Sequence, residues 1–142
     1  MNVYADSSFI VSLYAQELHS AEADRRIAST PTVLLTPLNR AELAHAFSFQ
    51  VFRSRISEAR ALTLWQEFED DCNRGLWSCV DLPSRAWETS IDLARRYGPA
   101  LGVRSIDSLH VACALELRAE RFWTFDERQM KLAEAVGLDT GS

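Results

Sequence analysis

Short apolar runs alternate along this chain with longer stretches in which apolar residues recur every three or four positions. Residues 2–6 read as a short strand ending at Asp6. From Ser7 to Gln16, Phe9, Ile10, Leu13 and Tyr14 fall at helical spacing, and a second short helix is expected from Ala21 to Ala28. Pro31 and Pro37 bracket Thr32-Val33-Leu34-Leu35-Thr36, a β-rich run. A long helical pattern covers Leu38 to Ser54. Ser57 caps the next helix, which runs to Arg74 and stops at Gly75. Trp77 to Leu82 is a third strand, and Ser84 to Tyr97 a helix that Tyr97-Gly98-Pro99 breaks. A helix from Ser105 to Arg118, a strand from Arg121 to Thr124 and a helix from Glu127 to Val136, ending at Gly137, complete the chain.

Strands alternating with helices from end to end argue an α/β fold with a mostly parallel sheet and helices on both faces. At 142 residues, with neither linker nor repeat, residues 1–142 are expected to form a single domain. A chain of this size buries roughly two-thirds of its unfolded surface, enough for a core without disulfides. Cys72, Cys79 and Cys113 lack CxxC spacing and are expected as buried free thiols. No apolar run approaches the ~20 residues of a membrane span. No basic region precedes the first apolar stretch, so a cytoplasmic protein is expected. The net charge of −5 disfavours a purely electrostatic nucleic-acid binder. It leaves open a nucleic-acid enzyme whose carboxylates are offset by bound metal.

Open α/β sheets bind ligands at the carboxyl ends of their strands, and four acids draw attention there. Asp6 sits where the first strand hands over to a helix, and Asp126 follows the last strand. Either is equally a helix N-cap. Asp107 lies in the first turn of Ser105-Ile106-Asp107-Ser108-Leu109-His110, where an acid also complements the helix dipole. Glu42 falls on an apolar helix side with Leu38, Ala41, His45, Phe49 and Phe52, which is costly unless it is paired, metal-bound or snorkelling. Brought together, four carboxylates repel one another. A hard ion such as Mg²⁺ or Mn²⁺ removes that penalty and supports in-line phosphoryl displacement.

The ordered set of Asp6-Ser7-Ser8, Glu42 in Leu38-Asn39-Arg40-Ala41-Glu42-Leu43, Ser105-Ile106-Asp107-Ser108-Leu109-His110-Val111-Ala112 and Thr124-Phe125-Asp126 resembles the PIN domain. In length and spacing it is most similar to the VapC-type ribonuclease toxins of toxin–antitoxin pairs. The resemblance implies a three-layer α/β/α fold and a Mg²⁺- or Mn²⁺-dependent endoribonuclease that cleaves RNA with a metal-bound water. It implies that Asp6, Glu42, Asp107 and Asp126 hold the metal, and that Thr124 supports the metal water or a ligand. It further implies a small cognate antitoxin covering the site, and a homodimer. The rival readings are a non-catalytic PIN-like binding module and a Mg-binding receiver-type signalling domain. The second needs a lysine near its aspartates, and Lys131 is the only one present.

His45 and His110, each a lone histidine on an apolar helix face, are expected as satisfied core residues. The helix from Leu38 carries a second apolar side, Leu43, Phe47 and Val51, so one side is expected to remain for a partner. Arg40, Arg53, Arg55 and Arg60 either contact RNA phosphates or form a solvated helix face.

Overall fold

Three of the four strands of the computed structural model, which describes residues 1–141, divide their side chains between two cores. In β1 (Asn2–Ala5), Val3 and Ala5 point to one face and Tyr4 to the other. In β2 (Thr32–Leu35), Val33 and Leu35 oppose Leu34. β3 (Trp77–Cys79) gives Trp77 to the first face, and β4 (Arg121–Trp123) sends Trp123 there and Phe122 to the second. The first face is covered by α1 (Ser7–Tyr14), α2 (Ser20–Ile27), α3 (Pro37–Phe52) and α4 (Glu58–Asn73). The second is covered by α5 (Ala86–Leu101), α6 (Ser105–Glu116) and α7 (Glu127–Ala135). This is the expected three-layer α/β/α arrangement. Strands covered on both sides carry apolar residues without polar alternation.

All four strands run parallel, in the order β3-β2-β1-β4. The chain steps outwards from β1 to β2 and β3, then returns to lay β4 along the other side of β1. Strand order therefore reverses at β1, and the crevice beyond the carboxyl ends of β1 and β4 is the switch point. Asp6 follows β1 directly, and its N–H donates to the Trp123 carbonyl of β4 at 3.0 Å.

Several local expectations are corrected by packing. Gly98 and Pro99 do not break α5, which runs on to Leu101. Proline removes one backbone donor, but Tyr97 and Leu101 pack into the second core and hold the last turn. Gly102, at φ 63°, then closes the helix by donating to the Gly98 carbonyl at 2.8 Å. β3 stops at Cys79 rather than Leu82, because it is an edge strand and its neighbour β2 ends at Leu35. Of the cysteines only Cys113 is buried; Cys72 is half-buried and Cys79, at the end of that edge strand, is exposed.

α3 buries only one of its two apolar sides. Leu43 and Phe47 enter the core, while His45, Phe49 and Phe52 are exposed. His45 is thus not a core residue: α1 and α4 cover the opposite face of α3. Arg40 is engaged within the fold rather than free for phosphate. Its guanidinium lies over the rings of Trp65 and Phe68 and pairs with Glu69 at 2.6 Å.

Candidate metal centre and active site

Asp6 is the N-cap of α1, and its carboxylate accepts three hydrogen bonds from protein donors. Oδ1 accepts from the Phe9 N–H at 3.0 Å and the Ser8 hydroxyl at 2.7 Å, and Oδ2 from the Thr124 hydroxyl at 2.8 Å. Burial pushes its pKa above the ordinary carboxylate value, against the charge of His110 and these hydrogen bonds, which pull it down. Thr124, itself buried, accepts from the Asp126 N–H at 2.9 Å. The threonine stands behind the site and ties the ends of β1 and β4 together. Asp126 caps α7 through Oδ1, which accepts from the N–H groups of Arg128 at 2.9 Å and Gln129 at 3.1 Å. Both aspartates are helix N-caps at the sheet edge, where the candidate site lies, because that edge is where these helices start.

Asp107, fully buried in the first turn of α6, accepts from the Arg104 N–H through Oδ2 at 2.9 Å. The Arg104 guanidinium lies 3.2–3.3 Å from both Asp107 oxygens and 3.3 Å from Asp126 Oδ2, bridging the two carboxylates.

Glu42 reaches the same edge because α3 is pinned to β1 one turn earlier. Asn39, fully buried, donates to the Ala5 carbonyl at 3.1 Å, and its Oδ1 accepts from the Thr36 N–H at 2.9 Å. Three residues on, on the same side of the helix, Glu42 Oε1 accepts from the Ser7 hydroxyl at 2.6 Å and from His110 Nε2. Burial alone would raise the Glu42 pKa. The bond and charge from His110 and the Ser7 bond outweigh it and hold the carboxyl below its usual value.

Asp6, Glu42, Asp107 and Asp126 line one cavity of about 170 Å³, shared with Arg104 and Gln129. Among the described residues, no three His, Cys, Asp or Glu side chains stand close enough to form a ligand cluster as they lie. Each carboxylate is instead engaged by protein donors, and Arg104 is shared between Asp107 and Asp126. The chemistry of the set still fits a hard divalent ion. The available donors are carboxylate, hydroxyl and amide oxygens, which Mg²⁺ and Mn²⁺ prefer. Gln129 Oε1, buried and in the same wall, has no hydrogen-bond partner among the described residues. Lys131 is exposed and outside this cavity, which removes the support a receiver-type site needs.

A larger groove of about 700 Å³ opens beside the acids. It runs along α3 past His45 and Phe49 to His19 and Phe125, whose rings stack at 4.4 Å. His110 is the satisfied core histidine expected, buried with both ring nitrogens engaged, but one of its partners, Glu42, is a candidate site residue and the other is Tyr4. Sequence reasoning did not single out His110 and Arg104 as lining the cavity that the four acids share. The available signal was helical spacing, since each lies three residues from Asp107, one turn away on the same helix or at its cap.

The PIN domain family model matches residues 3–135. No curated protein matches the chain. Among solved structures, the chain is similar to VapC20 of Mycobacterium tuberculosis, a sarcin–ricin loop cleaving toxin, at 15% identity and a TM-score of 0.69 over 96% of this chain and 95% of that one. It is similar to FitAcB from Neisseria gonorrhoeae at 14% identity and TM-score 0.74, covering 99% and 96% of the two chains. A toxin–antitoxin complex from Klebsiella pneumoniae matches at 13% identity and TM-score 0.65, over 90% and 89%.

Proposed function

Because this chain belongs to the PIN domain family, we propose that it is a divalent-metal-dependent endoribonuclease and the toxin of a type II toxin–antitoxin pair, working in the cytoplasm. The observation that carries the reading is the convergence of four carboxylates, from four separate segments, on one small cavity at the switch point of the sheet. Asp6, Glu42, Asp107 and Asp126 would hold Mg²⁺ or Mn²⁺. Such an ion supplies Lewis acidity, favouring ionisation of water at neutral pH and offsetting charge on phosphoryl oxygens. The chain's own residues do the rest. Ser7, Ser8 and Thr124 orient the carboxylates, and the buried floor under Asp6 and Asp107 keeps bulk water from screening them. Purified protein is expected to cut mixed RNA internally with Mn²⁺ or Mg²⁺ and to stop when EDTA is added. Intact RNA in millimolar Mn²⁺, or cleavage unaffected by EDTA, would refute the reading.

Arg104 bears on metal loading. Its guanidinium already neutralises Asp107 and Asp126, so it competes with any cation those acids bind. Arg104→Gln is expected to bind Mn²⁺ more tightly than wild type. Without metal it should also lose stability, because Arg104 is half-exposed but its partner Asp107 is buried and would be left without a cation. Calorimetric titration with Mn²⁺ checks this, and weaker binding would show that Arg104 supports the site instead.

The partners follow the same reading. The Klebsiella structure is a toxin–antitoxin complex, and here the groove along α3 would take an antitoxin segment. Phe52, 81% exposed and stacked on Phe49, extends the uncovered apolar side of α3, which suits a homodimer contact. Sedimentation at micromolar concentration is expected to give a dimer and Phe52→Asp a monomer. A monomeric wild type would defeat the dimer.

A further inference from the structure

Buried histidines in an apolar helix face are costly unless both ring nitrogens find partners. His110 is 1% exposed in α6, whose neighbouring residues Val111, Ala112 and Cys113 are apolar and buried. Its two nitrogens are engaged at opposite ends. Nδ1 meets the Tyr4 hydroxyl at 2.7 Å, and Nε2 meets Glu42 Oε1. An ionised carboxylate has no hydrogen to give, so Nε2 carries one and donates it. In the neutral ring Nδ1 is then the acceptor, and the Tyr4 hydroxyl donates to it. Tyr4 is itself immobile, fully buried on the central strand and stacked on Phe122 with ring centroids 5.6 Å apart. The Ser7 hydroxyl lands on the same Glu42 oxygen as His110, so Oε2 takes neither bond.

We infer that His110, braced by Tyr4, is a positioning residue that clamps Glu42 through Oε1 and leaves Oε2 to a divalent ion. This rests on the metal-dependent reading of the four acids. The argument is geometric. Glu42 is the only one of the four carried by α3, and it sits on a half-buried helix side where a glutamate has several rotamers. The clamp removes that freedom, and it does so from α6, the helix that also carries Asp107. Donors behind a ligand orient it and raise its affinity for metal.

The test compares His110→Leu, His110→Gln and Tyr4→Phe. Leucine fills similar space without a donor, glutamine can still donate an amide hydrogen towards Glu42, and phenylalanine removes only the brace. Mn²⁺ affinity by calorimetry is expected to fall about tenfold or more in His110→Leu, with much of it recovered in His110→Gln. Tyr4→Phe should lose less, in the same direction. At saturating Mn²⁺ the KM for RNA should stay at the wild-type value, because the clamp touches the ligand and not the substrate. If His110→Leu fails to fold, Tyr4→Phe and His110→Gln decide. Wild-type Mn²⁺ affinity in His110→Leu, or in Tyr4→Phe if the leucine variant is unfolded, would overturn the inference, as would glutamine binding no better than leucine. Absence of Mn²⁺ binding by the wild type would instead overturn the metal-dependent reading beneath it.

Discussion

Asp6→Asn is expected to abolish RNA cleavage without lowering the stability of the metal-free protein. Metal assistance supplies several kcal/mol of transition-state stabilisation, so losing a charged ligand should slow cleavage by about 10³-fold or more. Stability should be kept or gained for a separate reason. Burial raises the Asp6 pKa, which means that the ionised carboxylate costs the folded state free energy. Asparagine carries no charge, can still accept from the Phe9 N–H and is an equally good N-cap. The sign gives a second check. Any gain should be present above the raised folded pKa and vanish as pH falls below the ordinary carboxylate value, where wild-type Asp6 is protonated in both states. Cleavage assays and chemical denaturation across pH measure both parts. Substantial residual cleavage would remove Asp6 from the site, and a variant that is clearly less stable at neutral pH would show that its charge supports the fold.

Trp123→Ala should have the largest effect on stability, a loss of about 3–5 kcal/mol from a total of the order of 5–15 kcal/mol. Trp123 is the largest of the fully buried side chains. Its ring packs against Phe9 at 5.2 Å, Arg26 lies over it at 5.7 Å, and its indole N–H donates to the Gly141 carbonyl at 2.8 Å. It also directly precedes Thr124, whose hydroxyl joins Asp6 to Asp126. The cavity left by truncation therefore opens beneath the candidate site, and activity should fall at temperatures where the variant is still folded. Trp123→Phe should fall between the two. A loss below about 1 kcal/mol in urea denaturation would mean that the first core is carried by other residues.

Much of the candidate site was legible in the sequence because its acids sit at positions that local rules mark. Asp6 and Asp126 stand at strand-to-helix junctions and Asp107 in a first turn, where period and capping signals are strongest. Glu42 was conspicuous as a charge on an apolar helix side. The groups that hold these acids were not legible in the same way. His110 looked like a core histidine because its own helix is apolar, and its partners lie 106 and 68 residues away in sequence. Nothing in the sequence set Arg104 apart from the other arginines. Its distinction is that α6 begins beside α7, so one guanidinium spans Asp107 and Asp126.

Helix boundaries divided along the same line. Gly75 ended α4 as its residue type predicts, in a left-handed conformation at φ 77°. Gly98-Pro99 did not end α5, because Tyr97 and Leu101 had a core to enter. His45 and Phe49 share a helix side with residues that looked equally suited to a core. Whether they are covered depends on how many helices pack on α3, which periodicity within α3 does not encode. From sequence alone came the quantities that depend on neighbours within a turn or two: the alternation of strands and helices, the α/β class, and the order of the acids. Strand order, the crevice at β1, the Tyr4–His110–Glu42 chain and the Arg104 bridge were decided by tertiary structure. Each joins segments far apart in the chain, and only the packing of both faces of one sheet brings them together.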